Sequence, residues 1–430
     1  MLTFWMLTAM VALILLGAPV GFVMAILPTG YILFTDVVPL SAVPYQMYSA
    51  LNKFPLVAVP LFLLAGELMN SGAVTQRLLE LSRELVGRLR GGMSHITVVM
   101  SMLFASLNGS AVASTATIGG IMIPAMKKAG YPAGFSAGIT AVASTIGGII
   151  PPSIAMVIFA SVTNISVGKL FSAGILPGVL VGLMFMAIAY VACLRRNYER
   201  LDTPFTAKAL LIAFRRALLA LSLPIILYVG IVGGVFTATE AGAVVCGLAF
   251  VIGKYVYKAL SWRDLWDALG RTVRMTSSIF IIIAAAGPFS WLLTRLGALK
   301  GLEEWLLGFK DERWLFMLAF LGVILLAGML ADIVANLIIL GPPLLSAAVA
   351  AGVSETQAAM VICVGFLLGT VTPPVGICYF TAARIAEEKL EKVAVSMMPF
   401  IGAEALLLVL ILLVPALTGF VPMLAGFGGG

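Results

Sequence analysis

Long apolar runs follow one another along most of the chain, with short polar or charged stretches between them. A helix needs roughly 20 apolar residues to cross the hydrocarbon core of a bilayer. Runs of about that length or longer cover residues 3–34, 46–71, 170–194, 217–236, 240–257, 275–297 and 395–422. Each run predicts a membrane-spanning helix. We expect 3–34 to be a single retained helix, because it is too long for the core of a signal peptide.

Three shorter stretches carry charged residues on one helical face and apolar residues on the other. They are 74–90, 261–271 and 300–309. This pattern is typical of helices that lie along the membrane interface.

Two longer apolar regions, 93–164 and 314–385, are interrupted by small and polar residues and match one another. A shift of 222 residues places the segment 147–152 (GGIIPP) on 369–374 (GTVTPP). The sequence therefore predicts two copies of one structural unit.

The first half of each copy is predicted to be a re-entrant hairpin. The 16 residues of 93–108 span only about 24 Å as a helix, against a hydrocarbon core of about 30 Å. The predicted tips are 108–110 and 328–336. A proline pair, at 151–152 or 373–374, then breaks the following helix, because proline lacks the backbone N–H. Irregular backbone at that depth must be covered by protein or line a cavity.

The chain is basic, with a formal net charge of +7, and its charges predict the orientation. Of its 26 Lys and Arg residues, 20 lie in 77–90, 127–128, 195–216, 254–274 and 384–392. Cytoplasmic loops carry such an excess. Placing all five clusters in the cytoplasm makes the two copies cross in opposite directions, as the inverted repeats of many secondary transporters do.

Composition narrows the classes of function. Hydrophobic residues make up 61% of the chain and charged residues 10%. In soluble domains, hydrophobic residues make up roughly 45–50% and charged residues about 25%. This excludes a cytosolic enzyme and a nucleic-acid binder. One histidine and four scattered cysteines argue against a catalytic triad or a zinc site. Because the chain has no phosphate-binding loop, we expect an ion gradient to drive any uphill transport.

The predicted fold is an all-α polytopic membrane protein with inverted repeats, two re-entrant hairpins and two discontinuous helices. Its parts are scaffold helices with an interfacial arm (1–92), the first transport repeat (93–164), further scaffold helices (165–274), a connecting helix with a second arm (275–313), the second transport repeat (314–385) and a C-terminal helix (386–430).

Oxygen atoms at the hairpin tips and helix breaks are candidate ligands for Na⁺, because unwound backbone there leaves carbonyls free. The predicted ion ligands are Asn108, Gly109, Ser110, Ser114, Ser144, Thr145 and Gly147 in the first repeat, and Gly328, Asp332, Asn336, Thr370 and Thr372 in the second. Half-helix N-termini at the same level favour a substrate carboxylate. The predicted substrate contacts are Ser110, Thr115, Ser153, Asn336, Pro373 and Pro374.

The alternative is that these small and hydroxyl residues only let helices pack closely. Matching polar clusters beside matching proline pairs favour the site. Asp332 is the only acid in 313–354, and an intramembrane carboxylate is costly and usually functional.

Other titratable residues favour structural roles. The segment 237–240 (TATE) predicts a helix N-cap with an acid in the first turn. Glu67 is expected to be structural, His95 to lie at the cytoplasmic face, and Glu404 has no predicted role.

Six segments resemble the large membrane subunit of tripartite ATP-independent periplasmic (TRAP) transporters. They are 60–72 (PLFLLAGELMNSG), 108–126 (NGSAVASTATIGGIMIPAM), 145–153 (TIGGIIPPS), 170–178 (LFSAGILPG), 236–243 (FTATEAGA) and 368–376 (LGTVTPPVG). They occur in the family's order along nearly the whole chain.

The resemblance implies a Na⁺-coupled, elevator-type transporter in a bacterial inner membrane. We predict that its N-terminus is cytoplasmic and its C-terminus periplasmic. It also implies a separate small membrane subunit and a periplasmic binding protein that delivers an organic acid, such as a C4-dicarboxylate or sialic acid. The family's ion sites map onto the two clusters above. The family's first tip usually reads Ser-Gly-Ser, and Asn108 stands in place of the first serine.

Two rival functions stay open on sequence alone. One is a stand-alone ion-coupled carboxylate transporter of similar architecture without a binding protein. The other is an intramembrane enzyme or a channel, and the position of the sole histidine argues against the enzyme.

Overall fold

The structure is a computed structural model that describes residues 2–36, 38–71, 74–196 and 206–427. The regular elements in these ranges are all helical. Among the described residues, seven helices are long and apolar enough to cross a membrane, or up to nine if each of two bent pairs is one span. The prediction of an all-α polytopic protein is confirmed.

The helices follow one another with short connections. In chain order they are α1 (Leu2–Leu15), α2 (Val20–Thr35), α3 (Ala42–Leu51), α4 (Ala58–Ser71), α5 (Val74–Val86), α6 (Gly92–Asn108), α7 (Ala111–Lys128), α8 (Ala133–Ile149), α9 (Ile154–Thr163), α10 (Val167–Arg196), α11 (Ala207–Val232), α12 (Ala238–Val251), α13 (Trp262–Arg295), α14 (Ala298–Leu307), α15 (Arg313–Leu330), α16 (Ile333–Ile339), α17 (Gly341–Ala350), α18 (Glu355–Gly369), α19 (Ile377–Ala386), α20 (Leu390–Leu413) and α21 (Ala416–Leu424).

The N-terminal apolar run is two helices, so the prediction of one helix over 3–34 is wrong. The chain breaks between α1 and α2, where Gly17 has a φ of +89° and Pro19 precedes α2. Proline cannot donate the backbone bond that would continue α1. The run 46–71 is divided as well, with a 3₁₀ turn (Phe54–Val57) between α3 and α4.

Two other element predictions are corrected. The stretches 261–271 and 275–297 form one helix of 34 residues, α13, so the part boundary predicted at 274 falls inside it. Ser261 and Asp264 form a capping box at its start, which begins the helix well before the apolar segment. The C-terminal part contains two helices, α20 and α21, because the chain breaks just before Pro415.

The two interrupted regions have matching helix bounds under the 222-residue shift. The pair α6 and α7 corresponds to α15 followed by α16 and α17, and the pair α8 and α9 corresponds to α18 and α19. One difference is that α16 and α17 are bent by 52° where α7 is continuous. Pro342 and Pro343 follow that bend and remove two backbone donors. The opposite orientation of the copies in a membrane stays a prediction.

Helices α8 and α18 form the centre of the molecule. Every residue from Gly134 to Ile149, and every residue from Thr356 to Gly369, is buried. Neither segment contains a charged residue, and a helix that is apolar all round is expected in the interior. Both hairpins and α20 pack around these two helices.

The remaining long helices surround this centre, and α13 packs against α2, α3 and α4. Glu67 of α4 accepts a hydrogen bond from Arg271 Nε of α13 at 2.7 Å, and Arg271 also donates to Ser71 Oγ at 3.2 Å. This supports the structural role predicted for Glu67. The N-cap predicted at 237–240 is a full capping box in which Thr237 and Glu240 bond each other's backbone N–H.

His95 is buried near the start of α6 rather than exposed at a surface. Its Nε2 lies 3.1 Å from the carbonyl oxygen of Arg90, and its ring packs on Tyr190. The side chain links the start of the first hairpin to α10.

The ion pair between α4 and α13 generates a stability prediction. We expect Arg271→Met to lower the free energy of unfolding by about 1–3 kcal/mol, because Glu67 keeps 15% of its side-chain exposure and loses its partner. The measurement is the melting temperature of the purified protein in detergent.

The matched control is Lys300→Met, because Lys300 pairs with Glu304 at an exposed surface and such pairs contribute about 0–1 kcal/mol. Adding Glu67→Gln to Arg271→Met should recover part of the loss. Equal melting temperatures for Arg271→Met and Lys300→Met would contradict a stabilising pair.

Candidate functional site

The tip of the first hairpin lies directly on the break between α8 and α9. The carbonyl of Gly109 accepts a hydrogen bond from the Ile154 N–H at 3.2 Å. A Cβ atom at Gly109 would lie 2.6 Å from the Pro152 carbonyl oxygen, and its φ is +62°. Only glycine satisfies both conditions. The backbone of Asn108 ends α6, and its side chain lies outside the described residues.

Two serines at this junction cap helix N-termini. Ser110 accepts from the Ala113 N–H at 3.4 Å and begins α7. Ser153 accepts from the Met156 N–H at 3.3 Å, begins α9, and donates to the Gly148 carbonyl at 2.6 Å. The partial positive charges at the N-termini of α7 and α9 therefore both lie at this junction.

The hairpin and α8 meet through hydroxyl groups. Thr115 and Ser144 are hydrogen-bonded to each other across the interface, and both side chains are fully buried. Ser114 Oγ is buried without a hydrogen-bond partner and faces Gly147, where an added Cβ would lie 3.0 Å from it. A buried hydroxyl without a partner is costly, so this oxygen is available to a ligand.

Two positions in the first repeat differ from the sequence prediction. Gly147 belongs to the last turn of α8, because the helix continues to Ile149 and breaks only at 150–153. Thr145 does not bond the hairpin. Its hydroxyl lies 2.8 Å from the Val142 carbonyl and 3.0 Å from Glu404 Oε2 on α20, because successive residues of a helix point in directions about 100° apart.

The tip of the second hairpin lies between α15 and α16. Asp332 caps α16 by accepting from the Val334 N–H at 2.8 Å, in the position that Ser110 has in the first repeat. Asn336 donates to the Ala327 and Ala331 carbonyls at 2.9 and 3.1 Å. This amide satisfies carbonyls at the end of α15 and closes the tip.

The second tip touches α18 through two glycines. A Cβ atom at Gly369 would lie 2.3 Å from the carbonyl carbon of Gly328, so the backbones are in direct contact. A cavity of about 330 Å³ opens beside this contact. Gly328, Asp332 and Thr370 line it together with apolar residues of α2 and α13.

The break between α18 and α19 is bridged by the backbone of Thr370, whose carbonyl accepts from the Cys378 N–H at 3.0 Å. The hydroxyls of Thr370 and Thr372 bond carbonyls of the last turn of α18, at 2.6 and 2.7 Å. Pro373 is half-buried and Pro374 is exposed. These prolines lie at the surface of the break rather than in the cavity.

The structure therefore groups most predicted site residues around two tip-to-break junctions. Gly109, Ser110, Ser114, Ser144 and Ser153 lie at the first, and Gly328, Asp332 and Thr370 at the second. Thr115 is enclosed by its bond to Ser144. The sequence prediction missed Cys378, whose thiol lies 3.6 Å from Thr370 Oγ1, and gave no role to Glu404. An acid inside the apolar run 395–422 was the signal for Glu404.

The sequence matches a known family over nearly all of its length. A model of the DctM component of the tripartite ATP-independent periplasmic transporter matches residues 7–417. The chain belongs to this family. As a TRAP large membrane subunit it is a transport protein and not an enzyme.

Named relatives of this TRAP subunit cover nearly its whole length. The sialic acid TRAP transporter large permease protein SiaM of Vibrio cholerae is 30% identical over 417 residues, which are 97% of each chain. The C4-dicarboxylate TRAP transporter large permease protein DctM of Pseudomonas aeruginosa is 32% identical over 377 residues, 88% of each. The isethionate TRAP transporter permease protein DctMQ of Oleidesulfovibrio alaskensis is 31% identical over 95% of this chain and 64% of that one.

The fold of the TRAP subunit is similar to that of a solved transporter. The crystal structure of the Alcanivorax borkumensis YdaH transporter, which has been described as having an unusual topology, aligns with a TM-score of 0.63 at 16% identity. The alignment covers 86% of this chain and 87% of the other. At this identity the likeness is one of fold.

The glycine contact at the second tip generates a prediction. We expect Gly369→Ala to lower the free energy of unfolding by about 1–3 kcal/mol, because the new methyl group meets backbone that cannot rotate away. The control is Gly322→Ala on α15, where a Cβ meets nothing within 4 Å. That change should be neutral or stabilising, by up to about 1 kcal/mol. Thermal unfolding in detergent compares the two, and a Gly369→Ala protein as stable as Gly322→Ala would argue against the close contact.

Proposed function

We propose that this TRAP large subunit imports an organic acid by coupling its movement to Na⁺. In this proposal the hairpins α6–α7 and α15–α17 and the broken helices α8–α9 and α18–α19 move as one transport unit. The remaining helices form the scaffold against which that unit slides, in an elevator mechanism.

One observation carries the ion coupling. At the first tip-to-break junction, Ser114 Oγ is buried without a partner beside the end of α8. Neutral oxygens held at helix breaks are suited to Na⁺, because they replace its hydration shell without requiring a proton. The donor set at both junctions consists of hydroxyl, carbonyl and, at the second tip, carboxylate oxygens, and so fits this ion.

The substrate class rests on the relatives. The names of two of them specify sialic acid and C4-dicarboxylates, and both ligands carry a carboxylate. The N-termini capped by Ser110 and Ser153 provide partial positive charge for such a group. The cavity beside Asp332, at the tip of the second hairpin, is a second candidate site for the substrate or for ions.

Family membership favours a partner-dependent transporter over a stand-alone one. We propose a small membrane subunit as a separate chain and a periplasmic protein that delivers the substrate. The relative named DctMQ, of which this chain covers 64%, is longer than this chain, as a fusion of two subunits would be. The proposed setting is the bacterial inner membrane, with the N-terminus cytoplasmic and the C-terminus periplasmic.

The direct test is uptake into proteoliposomes that contain this chain together with its small membrane subunit and its periplasmic binding protein. Radiolabelled sialic acid and succinate are the two probes. We expect uptake of one acid to require the binding protein and to depend on an inward Na⁺ gradient. Uptake that persists unchanged when choline replaces Na⁺ would contradict the coupling, and uptake without a binding protein would favour the stand-alone alternative.

Ser114 provides a prediction at residue level. We expect Ser114→Ala to weaken the apparent affinity for Na⁺ by about tenfold, the equivalent of 1.4 kcal/mol. Stability without Na⁺ should be unchanged or higher, because the hydroxyl has no partner to lose. Both quantities come from melting temperatures measured along a NaCl titration at constant ionic strength.

The control for Ser114 is Ser172→Ala on α10. Ser172 is also buried, but it donates to the Gly168 carbonyl at 2.8 Å and accepts from Tyr228. Its loss should lower stability and leave the Na⁺ affinity as in the wild type. If Ser114→Ala lowered stability and left the Na⁺ affinity unchanged, while Ser172→Ala weakened the Na⁺ affinity, Ser114 would not be part of the ion site.

A further inference from the structure

The middle of α20 carries a fully buried carboxylate, Glu404, that packs on α8. Its Oε2 accepts from Thr145 Oγ1 at 3.0 Å, and its Oε1 is buried without a hydrogen-bond partner. No Lys or Arg of the described residues lies within 4.0 Å of it. A carboxylate that is charged while buried, with an unpartnered oxygen and no basic partner, is strongly unfavourable unless another charge balances it.

The two repeats differ in the charge that they bring to their junctions. The second repeat has Asp332 at its tip, and the first has Ser110 at the same position. Between residues 93 and 164 the sequence contains neither Asp nor Glu. A cation at the first junction is therefore without an opposite charge in its own repeat, and in a low-dielectric interior that is costly.

Glu404 lies next to the hydroxyl groups of this junction. Its partner Thr145 points away from the hairpin, but the preceding residue, Ser144, is bonded to Thr115 of the first hairpin. Cys378 of α19 lies within reach of the Thr115 and Ser144 hydroxyls, and its thiol is 3.6 Å from Thr370 Oγ1. The carboxylate thus borders a continuous polar cluster that joins α7, α8 and α19 in the interior.

We propose that Glu404 supplies the negative charge that stabilises a monovalent cation at the first tip-to-break junction. The carboxylate acts from α20 by its charge, beside the polar cluster of α7, α8 and α19, and replaces the acid that the first repeat lacks. This inference rests on the proposed Na⁺ coupling. It makes α20 part of the ion-binding unit rather than a neutral support. In this role Glu404 stabilises the bound cation by its charge and does not contact the substrate.

The test is Glu404→Gln in the full-length purified protein, with melting temperature followed along a NaCl titration and choline chloride keeping the ionic strength constant. The amide oxygen still accepts from Thr145, so the packing and the hydrogen bond are retained and only the charge is lost. We expect the apparent affinity for Na⁺ to fall by about tenfold or more. Glu391→Gln is the matched control, because Glu391 is an exposed acid on the same helix.

A relocated charge separates this role from a structural one. In the Glu404→Gln background we expect Ser110→Asp, which copies the position of Asp332, to restore much of the lost Na⁺ affinity. If Glu404 were only structural, Ser110→Asp would not restore the affinity for Na⁺. A failure of Ser110→Asp to restore that affinity therefore overturns the proposal. If Glu404→Gln does not purify as a monodisperse protein, Glu404→Asp keeps the charge and should keep the Na⁺ response, and loss of that response in a folded variant overturns the proposal as well.

The outcomes distinguish this inference from the coupling on which it rests. A wild-type protein whose melting temperature does not respond to Na⁺ overturns the coupling, and the role of Glu404 falls with it. A wild-type response together with an unchanged titration for Glu404→Gln overturns only the role of Glu404.

Discussion

A helix that is broken in a protein interior leaves backbone groups where no water is present to bond them, and the centre of this molecule is organised around that constraint. Each break is covered by the tip of a hairpin or by its own chain. The Gly109 carbonyl bonds the first residue of α9, and Thr370 bridges the second break to Cys378. Serine and aspartate caps satisfy the exposed N-termini of α7, α9 and α16. The polar junctions exist because neighbouring protein completes their hydrogen bonds.

The same covering arrangement produces two junctions of different chemistry. The first is enclosed and rich in hydroxyl groups, with its nearest acid on α20. The second has its own acid, Asp332, and opens into a cavity shared with α2 and α13. The bend between α16 and α17 adds a further difference in backbone. Two copies of one unit have therefore diverged into one internal polar cluster and one accessible recess.

Close packing explains how these elements can act as one body. Helices α8 and α18 are buried over nearly all their length, and glycines at 147, 328 and 369 bring the hairpins against them. Interiors packed in this way transmit displacement instead of absorbing it. The contacts of α13 with α2, α3 and α4, which include the Arg271–Glu67 pair, form a second group of packed helices, and α13 also packs against α16 of the second hairpin.

The sequence by itself determined the helical class, the two matched regions, the positions of both tips and both breaks, and the family. These follow from run length, proline and small polar residues, which act locally and leave a pattern along the chain. It did not determine where helices continue through polar sequence, as α13 does, or end inside apolar sequence, as α1 does at Gly17. Only the tertiary structure decided that Thr145 turns from the hairpin to Glu404 and that Ser114 is left without a partner. Those facts depend on which helices, hundreds of residues apart, face one another across the core.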